Sequence, residues 1–195
     1  PSQFVTLSFL LFAIPLAFSE QVLDRFGKPV LASRAYYILP ALFGPTGGGV
    51  SPNITSQNTK CPVTIIQDFS EAEHGKPVKF TMLGKNNGFI SADSPLEFAF
   101  QAKPGCATSS NWVVVADDFP MKWIGIGTAR DHPGKKLING AFKIHKYNVG
   151  YRLVFCPTNA SANCSNIGKY KDENRYRLVT NTDFPFPVVF LPFTA

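Results

Sequence analysis

The chain has 195 residues, a formal net charge of +6 and four cysteines. A single domain of that length buries a core of its own, so the fold need not rest on disulfides as a miniature secreted domain does. Phe occurs 18 times, Gly 15 and Pro 16, a profile of many short strands joined by turns that excludes an architecture of long helices.

Positions 4–17 are almost wholly apolar and uncharged, and they end in Ala17-Phe18-Ser19. Small residues at 17 and 19 fit signal-peptidase cleavage. Residues 1–19 are therefore predicted to be a signal peptide, truncated at its start, with one mature domain over 20–195. The run is short and interrupted by Pro15, which argues against a membrane-spanning helix. Export places the cysteines in an oxidising compartment, where an even number implies disulfides. Four cysteines allow three pairings; Cys156 and Cys164 are close enough for a local bridge, which leaves Cys61 with Cys106.

Along the mature chain, residues 24–28 read as a turn and Tyr36-Tyr37-Ile38-Leu39 as a strand. Further apolar or alternating runs fall at 63–67, 78–80, 96–100, 112–115, 123–126, 142–145, 151–155, 176–179 and 188–191. Turn residues separate them at near-regular intervals, the pattern of an all-β sandwich or barrel. No internal repeat is evident. Within the Cys61 to Cys106 segment, Thr81-Met82-Leu83-Gly84-Lys85-Asn86-Asn87-Gly88 reads as an extended polar tip with one cation and an Asn-Gly turn. A disulfide around this segment is expected to hold the tip on a rigid base, offered to another protein. Sequons begin at Asn53, Asn159 and Asn163. Asn53 and Asn159 lie in polar loops and are the glycosylation candidates, whereas the sequon at Asn163 has a bridged cysteine at its centre.

Groups for catalysis are sparse. His74 and His132 sit beside Gly or Pro and read as loop residues, and His145 alternates with Phe142 and Ile144 as a solvent-facing strand residue. None belongs to H-E-x-x-H, and no Ser lies in G-x-S-x-G. The expectation is a protein that is not an enzyme and needs no cofactor or metal. The basic residues Lys135, Lys136, Lys169 and Lys171 are expected in loops, scattered among acidic neighbours. No dense basic stripe interleaved with aromatics marks a nucleic-acid surface. Trp112 and Trp123 each lead an apolar run and are predicted to be buried, against a carbohydrate-binding role.

Several motifs together resemble the soybean-type Kunitz trypsin inhibitor family. They begin with Val22-x-Asp24-x-x-Gly27-x-Pro29-Val30 and, five residues on, Tyr36-Tyr37-Ile38-Leu39. The glycine-rich turn 44–50, Cys61-Pro62-Val63-Thr64, and Tyr151-Arg152-Leu153-Val154-Phe155-Cys156-Pro157 follow in order. Ile167-Gly168 and Arg175-Tyr176-Arg177-Leu178 complete a similarity that spans about 21–193. The resemblance implies an all-β β-trefoil, a single domain with bridges Cys61–Cys106 and Cys156–Cys164. It also implies a secreted, extracellular or vacuolar monomer that inhibits a serine protease, trypsin-like or chymotrypsin- or subtilisin-like, and binds neither nucleic acid nor membrane.

In that family the reactive bond lies between the first two cysteines, which here places it in the window 82–91, ahead of Ser94-Pro95-Leu96. The expected protease-binding residues are Met82, Leu83, Gly84, Lys85, Asn86 and Asn87. Counting back from Pro95 puts the specificity residue at Asn86, and counting forward from Gly75 puts it at Lys85, the one cation in the window. The family's internal Asn brace falls at Ala32, which cannot donate those hydrogen bonds, and Gly84 and Gly88 add backbone freedom. The alternative is a Kunitz scaffold without inhibition, serving storage, defence or ligand binding in a lectin-like manner.

Overall fold

The computed structural model describes residues 20–42, 46–55, 60–84, 88–158, 163–180 and 183–194. The predicted signal peptide, residues 1–19, lies outside them. The described chain is built from strands and turns, and no described helix is long and apolar enough to cross a membrane.

Among the described residues, thirteen strands run in three successive groups. The first group is β1 (Ala35–Pro40), β2 (Val50–Asn53), β3 (Thr64–Gln67) and β4 (Val78–Met82). The second is β5 (Leu96–Phe100), β6 (Trp112–Ala116), β7 (Trp123–Ile126), the short β8 (Lys136–Ile138) and β9 (Gly140–Lys146). The third is β10 (Tyr151–Pro157), β11 (Ser165–Asp172), β12 (Arg175–Thr180) and β13 (Pro187–Pro192).

The outer strands of each group close a six-stranded antiparallel ring, β1-β4-β5-β9-β10-β13 and back to β1. Closure removes the free edges that make open sheets prone to association. The inner hairpins β2–β3, β6–β7 and β11–β12 form a cap in which β3, β7 and β12 pair with one another. A closed barrel capped by three mutually paired hairpins, with one four-strand unit per third and the short β8 added in the second, is a β-trefoil.

The threefold repeat is carried by register. Within the three groups the barrel strands meet at Tyr36↔Val78, Leu96↔Phe142 and Tyr151↔Val188. Two residues further on come Ile38, Phe98 and Leu153 on one side, and Phe80, Ile144 and Phe190 on the other. All twelve are buried, as the two-residue period of a half-buried strand requires. Phe80 touches Phe98 and Phe190 edge-on at 4.9 and 5.4 Å between centroids. Contacts of this geometry add about 0.5–1.5 kcal/mol each beyond area burial.

Trp112 and Trp123 are buried, as the apolar runs after them predict. Both expected disulfides are present, Cys61–Cys106 and Cys156–Cys164, with Cα–Cα distances of 5.8 and 4.1 Å. Two placements differ from the sequence reading. Lys136 lies on β8, and Lys169 and Lys171 lie on β11, rather than in loops. β11 carries polar side chains because only one face of a cap hairpin meets the core, and β8 is a short edge strand beside β6. His132 does sit in a loop but is 2% exposed, with Nε2 2.9 Å from the Ile126 carbonyl and its ring against Trp123.

Candidate functional site

The connection between β4 and β5, residues 83–95, contains most of the expected protease-binding window. Its entry continues the β4–β5 ladder. Met82 belongs to β4, pairs with Leu96 and packs partly buried against the core, so it anchors the start of the loop. Leu83 donates its N–H to the Pro95 carbonyl at 2.9 Å, while its side chain is exposed. Gly84 follows with φ of 141° and open space around its Cα. Lys85, Asn86 and Asn87 lie outside the described residues. The chain resumes at exposed Gly88, whose φ of 82° is one that a side chain with a β-carbon rarely adopts.

The exit is gripped from both sides by an N-terminal strap, residues 20–32. On one side Val22 donates to the Ile90 carbonyl at 2.9 Å and Ala92 donates to the Glu20 carbonyl at 2.7 Å. On the other, Ile90 donates to the Val30 carbonyl at 2.7 Å and Ala32 to the Gly88 carbonyl at 3.2 Å. Val30 closes the strap on itself by donating to Val22 at 2.8 Å. Val22, Val30 and Ile90 are all fully buried, so the exit is tied to the core as well as to the strap. Position 32, where the family's side-chain brace falls, therefore still braces the exit through its backbone.

The strap is itself pinned by two tyrosines from different thirds of the barrel. Leu31 donates its N–H to the Tyr36 hydroxyl at 2.9 Å, and Leu23 donates to the Tyr151 hydroxyl at 2.8 Å. Between them Asp24 shapes the predicted turn, its carboxylate accepting from the N–H of Phe26 and of Lys28 at 2.8 and 2.9 Å. Beyond the strap, Asp93 adopts φ of 62° and donates its N–H to the Ile144 carbonyl. Its carboxylate stands 3.0 Å from His145 Nε2. His145 is thus half-buried against the loop exit rather than simply solvent-facing. Burial lowers its pKa below the ordinary histidine range, and Asp93 opposes that shift. The net arrangement is exposed Leu83, Gly84 and Gly88 on a base fixed by strand pairing, two strap ladders and a buried isoleucine. Such preorganisation leaves little entropy to lose when the tip docks on a partner.

The fold has counterparts among known proteins. The sequence matches the model of the Kunitz legume family, described as trypsin and protease inhibitors, over residues 22–191. The chain belongs to the Kunitz legume inhibitor family. Among the relatives of this Kunitz-family protein, a subtilisin inhibitor of Canavalia lineata is 45% identical, over 88% of this chain and 92% of its own length. The crystal structure of a Kunitz-type trypsin inhibitor from Cicer arietinum is 41% identical, with a TM-score of 0.85, over 90% of this chain and 99% of that one. A complex of porcine pancreatic trypsin with soybean trypsin inhibitor also matches, at 26% identity and a TM-score of 0.76, over 90% of this chain and 100% of that one.

Of the glycosylation candidates, Asn53 ends β2, paired with Thr64, rather than lying in a loop, and Asn159 lies outside the described residues. The Asn53 amide oxygen accepts from the Ile54 N–H at 2.8 Å and from the Arg175 guanidinium. Asn163 is exposed beside Cys164. Among the described residues no group of three or more His, Cys, Asp and Glu side chains is placed to hold a metal ion. The three histidines have separate partners: His74 packs on Tyr37, His132 on Ile126 and Trp123, and His145 on Asp93. The strap was the part of this Kunitz site that the sequence reading missed. Its residues form single bridges rather than strands and show no periodicity to detect.

Proposed function

We propose that this protein is a secreted inhibitor of serine proteases that presents residues 82–91 to the enzyme as a substrate-like loop. The observation that supports this reading best is the contrast within the loop. Leu83, Gly84 and Gly88 are exposed, whereas Ile90, two residues later, is fully buried and hydrogen-bonded on both sides. A protease cleaves an extended exposed strand readily. It releases the cut product slowly when the segments on either side of the cut stay in place, and β4 holds the segment before the tip and the strap the segment after it.

Lys85 is the residue proposed to enter a trypsin-like specificity pocket, with Asn86 on the leaving side. It is the cation of the window, and the acid at the base of such a pocket selects one. Leu83 and Gly84 run along the enzyme as the preceding subsites. The apolar leader 1–19 supports export, with residues 20–195 as the mature domain and extracellular or vacuolar delivery. Titration of trypsin, chymotrypsin, subtilisin and a papain-like protease tests the reading. Inhibition confined to serine proteases is the expected result, and failure to inhibit any of them would return the protein to the non-inhibitory scaffolds.

A further inference from the structure

A second site lies away from the loop. Leu42, Phe184, Phe186 and Pro40 wall an apolar cleft of about 190 Å³, and Lys169 and Thr46 also line it. Leu42 and Phe184 stand at the rim, 54% and 84% exposed, and Phe186 is buried. An engineered apolar cavity of about 150 Å³ is large enough for benzene, so the cleft accepts one aromatic ring.

The position of Lys169 is built rather than incidental. Gln67, itself 2% exposed, donates its amide N–H groups to the carbonyls of Thr46 and Gly48 at 2.7 and 3.1 Å. That fixes its amide oxygen toward Lys169, whose ammonium donates to it at 2.6 Å. The ammonium also lies over the rings of Phe186 and Tyr176, at 4.8 and 5.1 Å from their centroids. Two aromatic faces and one neutral oxygen compensate part of its lost hydration. An ammonium has three donors, and among the described residues no carboxylate forms an ion pair with this one. Burial moves the Lys169 pKa below the ordinary lysine range.

We propose that this cleft binds a small carboxylate with a flat apolar body, an aryl or aryl-alkyl acid, with Lys169 as the anchor for its charge. The carboxylate supplies the missing negative charge in a place where desolvation strengthens the pair. The ring then fills the space between Leu42, Phe184 and Phe186. Neither feature serves a neutral or cationic ligand as well. A neutral ring leaves the ammonium uncompensated, and an amine repels it.

Isothermal titration of the folded protein with phenylacetate, phenylacetamide and phenethylamine tests this. The expected result is saturable one-to-one binding of phenylacetate, with phenylacetamide weaker by at least about tenfold and phenethylamine undetected. Lys169→Gln should weaken phenylacetate by a similar factor and leave phenylacetamide unchanged. Leu42→Glu, an exposed rim substitution that places a like charge beside the carboxylate, should weaken phenylacetate without disturbing the fold. Equal affinity for phenylacetate and its amide, undiminished binding by Lys169→Gln, or no binding of phenylacetate at about 10 mM would each overturn the proposal.

Discussion

Removing a single oxygen from Tyr36 should loosen a loop that this side chain never touches. Tyr36 is 2% exposed, and its hydroxyl accepts the Leu31 N–H at 2.9 Å, next to the Leu31↔Phe89 bridge at the loop exit. Tyr36→Phe keeps the ring against Phe80 and changes no packing volume, so the loss is the hydrogen bond itself. Leu31 is half-buried, and a donor left unmade there costs about 1–3 kcal/mol. The counterpart Tyr151→Phe frees the N–H of Leu23, which is 36% exposed. Water takes over that partner more easily, and the expected loss is about 0.5–1.5 kcal/mol. Urea unfolding of the two variants and of the double variant, with a common m-value, measures these differences. Because strap and exit share one ladder, part of the loss should also appear as local opening. A loss of about 1.4 kcal/mol raises the open population tenfold, read as faster nicking within 83–88 by a non-target protease under native conditions. Tyr37→Phe is the control, since that ring packs on His74 and Phe193 and not on the strap. If Tyr36→Phe matches Tyr37→Phe in both stability and nicking, the strap does not brace the loop.

Other perturbations separate the remaining parts of the account. Lys85→Ala should weaken trypsin binding by about 2–5 kcal/mol, by leaving the acid of the pocket unpaired, while unfolding free energy changes by less than about 0.5 kcal/mol. Equal inhibition constants for parent and variant would move the specificity residue elsewhere in the window. Replacing Cys61 and Cys106 by serine should cost up to about 4 kcal/mol, and the same change at Cys156 and Cys164 about 2.5 kcal/mol, because the longer loop gains more freedom when unfolded. Equilibrium denaturation of the two double variants ranks them. Burial pushes His132 below its ordinary pKa, with the Ile126 carbonyl opposing the shift. The folded state therefore binds fewer protons than the unfolded state, and the stabilisation present above about pH 6.5 declines as the pH falls toward the folded-state value. Melting curves between pH 7.5 and about pH 5 should show this decline, flattened in His132→Gln. Asp117 and Asp131 are also shifted downward, and their contribution is lost only at more acid pH, below 3.8.

The strands were legible where one face of a pleated segment meets the core. Leu96, Phe98 and Phe100 are buried while Glu97 is exposed, and Val78 and Phe80 alternate with Lys79 in the same way. β2 was not legible, because it contains Pro52 and polar neighbours; it pairs only with β3, an arrangement that tolerates a missing donor. β8, with three residues, is too short to show a period. The threefold symmetry escaped notice for another reason. Its equivalent positions hold Tyr, Leu and Tyr in one set and Val, Phe and Val in another. Burial is what repeats there, not residue type. At the loop, the glycines and asparagines pointed to a tip, but nothing pointed to the strap that supports its exit. Nothing in the sequence near Leu23 announces a hydrogen bond to Tyr151, 128 residues away. The burial of His132 was likewise hidden, since a histidine between an aspartate and a proline looks like any exposed turn residue.

The central claim is that a braced loop at 82–91 is cut slowly and held tightly by a serine protease. Titration of trypsin with the purified protein, followed by mass-spectrometric mapping of the bond cut in the complex at mildly acid pH, tests it most directly. The account predicts stoichiometric one-to-one inhibition, with one new cleavage after Lys85 and both fragments retained. No inhibition at about 10 µM protein, a concentration that detects complexes as weak as about −7 kcal/mol, or inhibition with cleavage outside 82–91, would contradict it.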